Sequence, residues 1–89
     1  MRAVITVIGK DAVGILAKVS NVCAENDVNV IEVTQSVLQD VFAMIMMSDI
    51  SKCNIPFADF ADKMTKLGDS LGLTIHVTHE DLFNSMHRI

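Results

Sequence analysis

The sequence has no tryptophan and no tyrosine, a single proline, two cysteines and four phenylalanines among 89 residues. Each scarcity closes off a class of function. Phe42, Phe57, Phe60 and Phe83 form no aromatic platform of the kind on which unpaired bases stack. Basic residues are few and scattered: Arg2, Lys10, Lys18, Lys52, Lys63, Lys66 and Arg88 make no cluster, and the net charge is -4. Binding a phosphate backbone needs clustered Lys and Arg, so nucleic acid is not an expected partner. Cys23 and Cys53 show no metal-binding or redox spacing. They read as small apolar residues rather than as a disulfide, because nothing points to secretion. The longest apolar run, Val41–Met47, is far shorter than the roughly 20 residues that cross a bilayer. The N-terminal stretch has no small-residue cleavage site, so it is not a signal peptide. A cytoplasmic protein with no membrane partner is the expectation.

Reactive constellations are missing as well. No serine sits in a nucleophile motif with a base and an orienting group, so no catalytic residue is assigned and no enzyme is expected. "GKDAVGIL" (residues 9–16) carries two glycines but no Lys-Ser/Thr after the second, which excludes a phosphate loop. Lys10 is a poor stand-in for the arginine a small phosphatase would need there, having no planar fork. His76 and His79 fall on opposite faces of a strand, so they do not share a metal, and Met44, Met46 and Met47 are core filler. No metal and no cofactor is expected.

What the chain has in abundance is hydrophobic residues, 51% of the total. That is much apolar surface for so short a chain to bury alone. Arg2–Ile8 is β-branched and apolar, a first strand. Ile15, Leu16, Val19, Val22 and Cys23 recur at helical spacing within 12–25. Asn29–Leu38 reads as a second strand and Val41–Ser48 as a third, joined in a hairpin by Gln39–Asp40. The residue before a proline avoids helical conformation, so a second helix starts at or after Pro56. Phe57, Phe60, Ala61, Met64, Leu67 and Leu71 form its stripe, with Gly72 as its C-terminal cap. Leu73–Thr78 alternates as a fourth strand, and Leu82, Met86 and Ile89 suggest a short C-terminal helix.

The order βαββαβ implies an α+β, ferredoxin-like sandwich: a four-stranded antiparallel sheet with both helices on one face. Strands one and three occupy the middle. Ala3, Ile5, Val7, Ile31, Val33, Val37, Phe42, Met44, Met46, Leu73, Ile75 and Val77 are expected toward the helices. The open face then has an apolar centre of Val4, Ile8, Val41, Ala43, Ile45 and Met47. Glu32, Thr34, Ser36, Thr74, His76 and Thr78 form its polar border. Such a patch marks an interface, and a homodimer through this face or a sheet edge is expected.

Two positions stand out. Asp11 is placed to cap the first helix through its carboxylate. Gly14 then falls at the third helical position, where glycine costs about 1 kcal/mol against alanine. Its bare backbone at a positive helix end suits a carboxylate ligand. Close packing against a neighbouring strand or chain accounts for it equally well. Asn29 opens the second strand, a position that a turn residue fills without any ligand.

"GKDAVGIL" followed by "DVNVIEVTQ" resembles the ACT domain family, and the resemblance covers essentially the whole chain as one domain, 1–89. The chain is similar above all to small stand-alone members and to half of a tandem-ACT regulator of the glycine cleavage system. The resemblance implies an amino-acid site at a dimer interface, formed by Asp11, Ala12, Val13, Gly14, Ile15 and Leu16 of one chain with Asn29, Val30 and Ile31 of its partner. Val13 stands where many ligand-binding members have proline. A lone domain of this family would act as a regulatory sensor of a free amino acid, or as a ligand-free module that dimerises or docks to a regulatory protein.

Overall fold

A computed structural model describes residues 1–10 and 14–82. The elements are β1 (Arg2–Gly9), α1 (Ile15–Glu25), β2 (Asn29–Leu38), β3 (Val41–Asp49), α2 (Phe57–Leu71) and β4 (Thr74–His79). The sheet order is β2-β3-β1-β4, with every neighbouring pair antiparallel. This is the ferredoxin-like βαββαβ arrangement, with β1 and β3 central. Residues 80–82 turn helical and Leu82 is exposed, whereas Met86 and Ile89 lie outside the described residues.

Both helices cover the same face. Ile15, Val19 and Cys23 of α1 join Phe60 and Met64 of α2 over Ala3, Ile5, Val7, Phe42, Met44, Met46 and Ile75 of the sheet. Burying each large aliphatic or aromatic side chain of this layer contributes about 1.5–3 kcal/mol. Ser48, also buried here, donates its hydroxyl to the Ala3 carbonyl at 3.0 Å, so the core holds no orphaned hydroxyl at this point. Two glycines let the layers close. A Cβ on Gly9 would collide with the Leu73 side chain, and one on Gly68 would stand 2.8 Å from the Leu73 carbonyl oxygen.

Two expectations are corrected. Ile31 does not face the helices. The pairing passes from Val30↔Ser48 to Glu32↔Met47, so Ile31 is the extra residue of a β-bulge and is 45% exposed. Val30 takes the inward position before the bulge and Val33 after it. The first helix also starts later than its apolar periodicity suggests, at Ile15 rather than near 12, and its N-cap is Gly14 rather than Asp11. Leu16, counted in the buried stripe, is 39% exposed.

The open face carries the expected apolar centre. Ile8, Val41 and Ile45 are 44%, 42% and 41% exposed, while Val4 beside them is fully buried. His76 lies on this face, exposed. His79 lies on the other, its ring stacked on Phe57 with centroids 4.0 Å apart.

Candidate functional site

The site region is the start of α1. Gly14 adopts φ 71° and ψ 3°, a left-handed conformation that costs a side-chain-bearing residue about 1–2 kcal/mol. This is the physical reason for a glycine at position 14. Within the protomer, close packing is not: an added Cβ would meet nothing within 4 Å. The Gly14 carbonyl accepts from the Lys18 N–H at 3.1 Å and closes the first turn. Among the described residues no side chain caps this helix start, and no acidic residue lies in the first turn. The helix N-terminus carries the usual partial positive charge, which favours an anion.

The far end of α1 is built in the opposite way. The Val22 carbonyl accepts from the Asn26 side-chain amide at 2.8 Å. The Cys23 carbonyl accepts from the Asn26 and Val28 N–H groups at 3.2 and 2.8 Å, and the Ala24 carbonyl from the Asp27 N–H at 3.3 Å. The Glu25 carbonyl accepts from the Asn54 amide at 3.2 Å. Asn54 also donates its backbone N–H to the Asn26 carbonyl at 3.1 Å, tying the loop after β3 to this end. Asn29 follows directly, opposite Asp49 in the sheet. Asp49 holds its proton less tightly than an ordinary aspartate because Ser51 hydrogen-bonds to its carboxylate, with the N-terminal ammonium and Arg2 adding smaller effects.

Within one chain the expected site residues do not come together. Gly14, Ile15 and Leu16 stand at one end of α1, and Asn29, Val30 and Ile31 follow its other end. Eleven residues of helix, at about 1.5 Å each, separate the two groups. Asp11, Ala12 and Val13 lie outside the described residues. Ile15 is buried in the core and Val30 packs against that core, so of the described apolar candidates Leu16 and Ile31 offer their side chains outward.

Elsewhere the side chains offer little chemistry. Cys23 and Cys53 are free thiols, and burial, then the neighbouring Cys53, pushes the Cys23 thiol up to about 11. A thiol held neutral in this way is not a nucleophile. Among the described residues no three His, Cys, Asp or Glu side chains come close enough to share a metal ion, and no helix is long and apolar enough to cross a membrane.

Comparison with known proteins decides the family. Residues 2–78 match the family model for the ACT domain. The chain belongs to the ACT domain family. A UPF0237 protein of Methanocaldococcus jannaschii is 44% identical over 88 residues, 99% of this chain and 98% of the other. An ACT domain protein from Streptococcus pneumoniae superposes with a TM-score of 0.82 at 32% identity, covering 93% of both chains. A provisionally assigned glycine cleavage system transcriptional repressor shares the ACT fold at a TM-score of 0.71 and 22% identity, with 86% of this chain matching 44% of that one.

Proposed function

We propose that the chain is a single regulatory ACT domain that works in the cytoplasm as a homodimeric sensor of a free amino acid. The observation that carries this reading is the contrast at α1. Gly14 holds a left-handed turn with open space beside it, and among the described residues no side chain caps the helix end it starts. A ligand carboxylate placed there gains the first-turn N–H groups and the positive helix end. Leu16 of one protomer and Asn29 and Ile31 of its partner complete the site, because a single chain keeps these two groups at opposite ends of α1. Asp11, Ala12 and Val13 belong to the same turn by sequence. The exposed Ile8, Val41 and Ile45 supply apolar area for pairing of chains.

The same apolar patch favours the second reading, a module that dimerises or docks to a regulatory protein without any ligand. Thermal unfolding with each of the twenty amino acids separates the two. A ligand at a hundredfold its Kd adds about 2.7 kcal/mol of stability. A transition that moves for no amino acid leaves the ligand-free module. Sedimentation at micromolar concentration checks the assembly: a dimer is expected, and a monomer removes the interchain site.

A further inference from the structure

The two faces of the sheet serve different neighbours. α1 and α2 cover one face, and Gly14 starts α1 on that side. A chain seated on the open face has the protomer's own sheet between it and the Gly14 turn. Pairing through the open face therefore does not bring Asn29 of one chain to Gly14 of another. The contact that completes the proposed amino-acid site is a different one, and the apolar open face is left over.

Strand register fixes what stands where on that face, because directly opposed residues of paired strands share a side. One end is charged. Asn29, Asp49 and Arg2 form a row across β2, β3 and β1, and Glu80 lies 3.5 Å from Arg2. The next row is Glu32, Met47, Val4 and Thr78, followed by Thr34, Ile45, Thr6 and His76. The exposed Ile8 and Val41 lie beyond, at the apolar end.

Two such faces can meet about a two-fold axis along the strands or across them. The axis along the strands lays β3 of one chain over β1 of the other, and β2 over β4, row by row within the usual 30° or so between packed sheets. Asp49 then stands over the partner's Arg2, and Arg2 over the partner's Asp49. Glu32 meets Thr78, Glu80 meets Asn29 and His76 meets Thr34, so no like charges oppose each other. That matters for a chain of net charge -4. Ile45 and Ile8 fall beside the axis. The axis across the strands reverses the rows and presses Arg2 and Asp49 onto the partner's apolar end, leaving buried charges unpaired. Four strands about 4.8 Å apart, with about seven residues of about 3.3 Å each, give roughly 450 Å² per chain. Twice that is below the roughly 1,200 Å² of a stable interface, so the contact is weak.

We infer that the open face is a second homotypic interface, on which two copies stack about a two-fold axis along the strands, so that chains joined through the amino-acid site assemble further into a dimer of dimers. The dimer of dimers rests on the proposed interchain site, whereas the face pairing stands without it.

Sedimentation equilibrium of the full chain from about 5 µM to about 500 µM tests it, since a weak contact fills by mass action. A dimer at the low end and a tetramer at the high end are expected. The Arg2 and Asp49 side chains are 53% and 44% exposed, so their charges can be exchanged without disturbing the core. Arg2→Asp sets aspartate over aspartate across the axis, and Asp49→Arg sets arginine over arginine. Each variant alone is expected to weaken the second association at least tenfold and to stop at the dimer. An equimolar mixture of the two restores opposite charges across the axis and is expected to recover the tetramer. Because the substitutions sit on different chains, repair within one chain does not produce that recovery. Ile45→Lys is expected to lose the tetramer, to stay dimeric and to keep any thermal shift the wild type shows with an amino acid. A wild type that stays dimeric at the high concentration overturns the inference, as does a mixture that behaves like its components. A monomeric Ile45→Lys makes this face the sole contact between chains, and overturns both the second interface and the interchain amino-acid site. A wild type that is monomeric at the low concentration, with mixture rescue at the high one, removes the interchain site and keeps the face pairing.

Discussion

The two ends of α1 are made of similar polar and small residues and are finished in opposite ways. At the C-terminal end all four last carbonyls, Val22 to Glu25, have donors from Asn26, Asp27, Val28 and Asn54. At the N-terminal end a left-handed glycine starts the helix, and among the described residues no side chain caps it. Saturated polar groups stabilise a fold and have nothing left to offer a ligand. Unsatisfied ones at an exposed helix start are available for one. The proposed carboxylate site rests on this contrast.

The largest expected effect comes from breaking the saturated end. Asn26 is buried, its side chain serves the Val22 carbonyl, and Lys63 reaches its Oδ1 at 3.5 Å. Asn26→Ala leaves the part-buried Val22 carbonyl without this donor and empties a buried position, and is expected to cost about 2–3 kcal/mol in urea unfolding. Amino-acid binding at the other end is expected to persist in the folded fraction.

Cys23, in the same half of the helix, gives a pH-dependent version of this test. Its thiol is raised from 9.0 to about 11 in the folded chain, so the unfolded state loses its proton first. Stability from the neutral thiol is full below pH 9 and is lost as pH rises from 9 toward 11. The loss is expected to be about 2 kcal/mol, and no tyrosine titrates in this window. Cys23→Ala is expected to start less stable and to show a flatter profile over that range.

The open end responds differently. Gly14→Ala places a side chain at positive φ without a clash, so it is expected to cost only about 1 kcal/mol of stability. The smallest expected effect is Asn54→Ala, which removes exposed amide bonds to the Glu25 carbonyl and the Asp27 carboxylate. About 0.5–1 kcal/mol is expected by chemical denaturation, since water can replace an exposed donor.

Much of this fold is legible in the residues. Strict alternation from Leu73 to Thr78 marks β4, the Gln39–Asp40 break marks the hairpin, and Pro56 and Gly72 bound α2 where the structure places its ends. The bulge at Ile31 is not legible. An extra strand residue has no side-chain signature in "NVIEV", and every residue after it keeps a plausible alternation. The start of α1 misleads for a related reason. Asp11 is a good capping residue by type, but Gly14 enters the left-handed region and starts the helix at Ile15. Side-chain preference identifies candidates for a cap, whereas backbone conformation decides among them. The separation of Gly14 from Asn29 along α1 follows from topology, and the proposed site needs a second chain to bring the two together.

The central claim is that the glycine-started end of α1 is where a ligand carboxylate sits. Calorimetric titration of the wild type and Gly14→Ala, with the amino acid that raises the unfolding temperature most, tests it directly. The account predicts saturable binding to the wild type and at least a tenfold loss in the variant, which stays folded and dimeric. Equal binding by both proteins would contradict it.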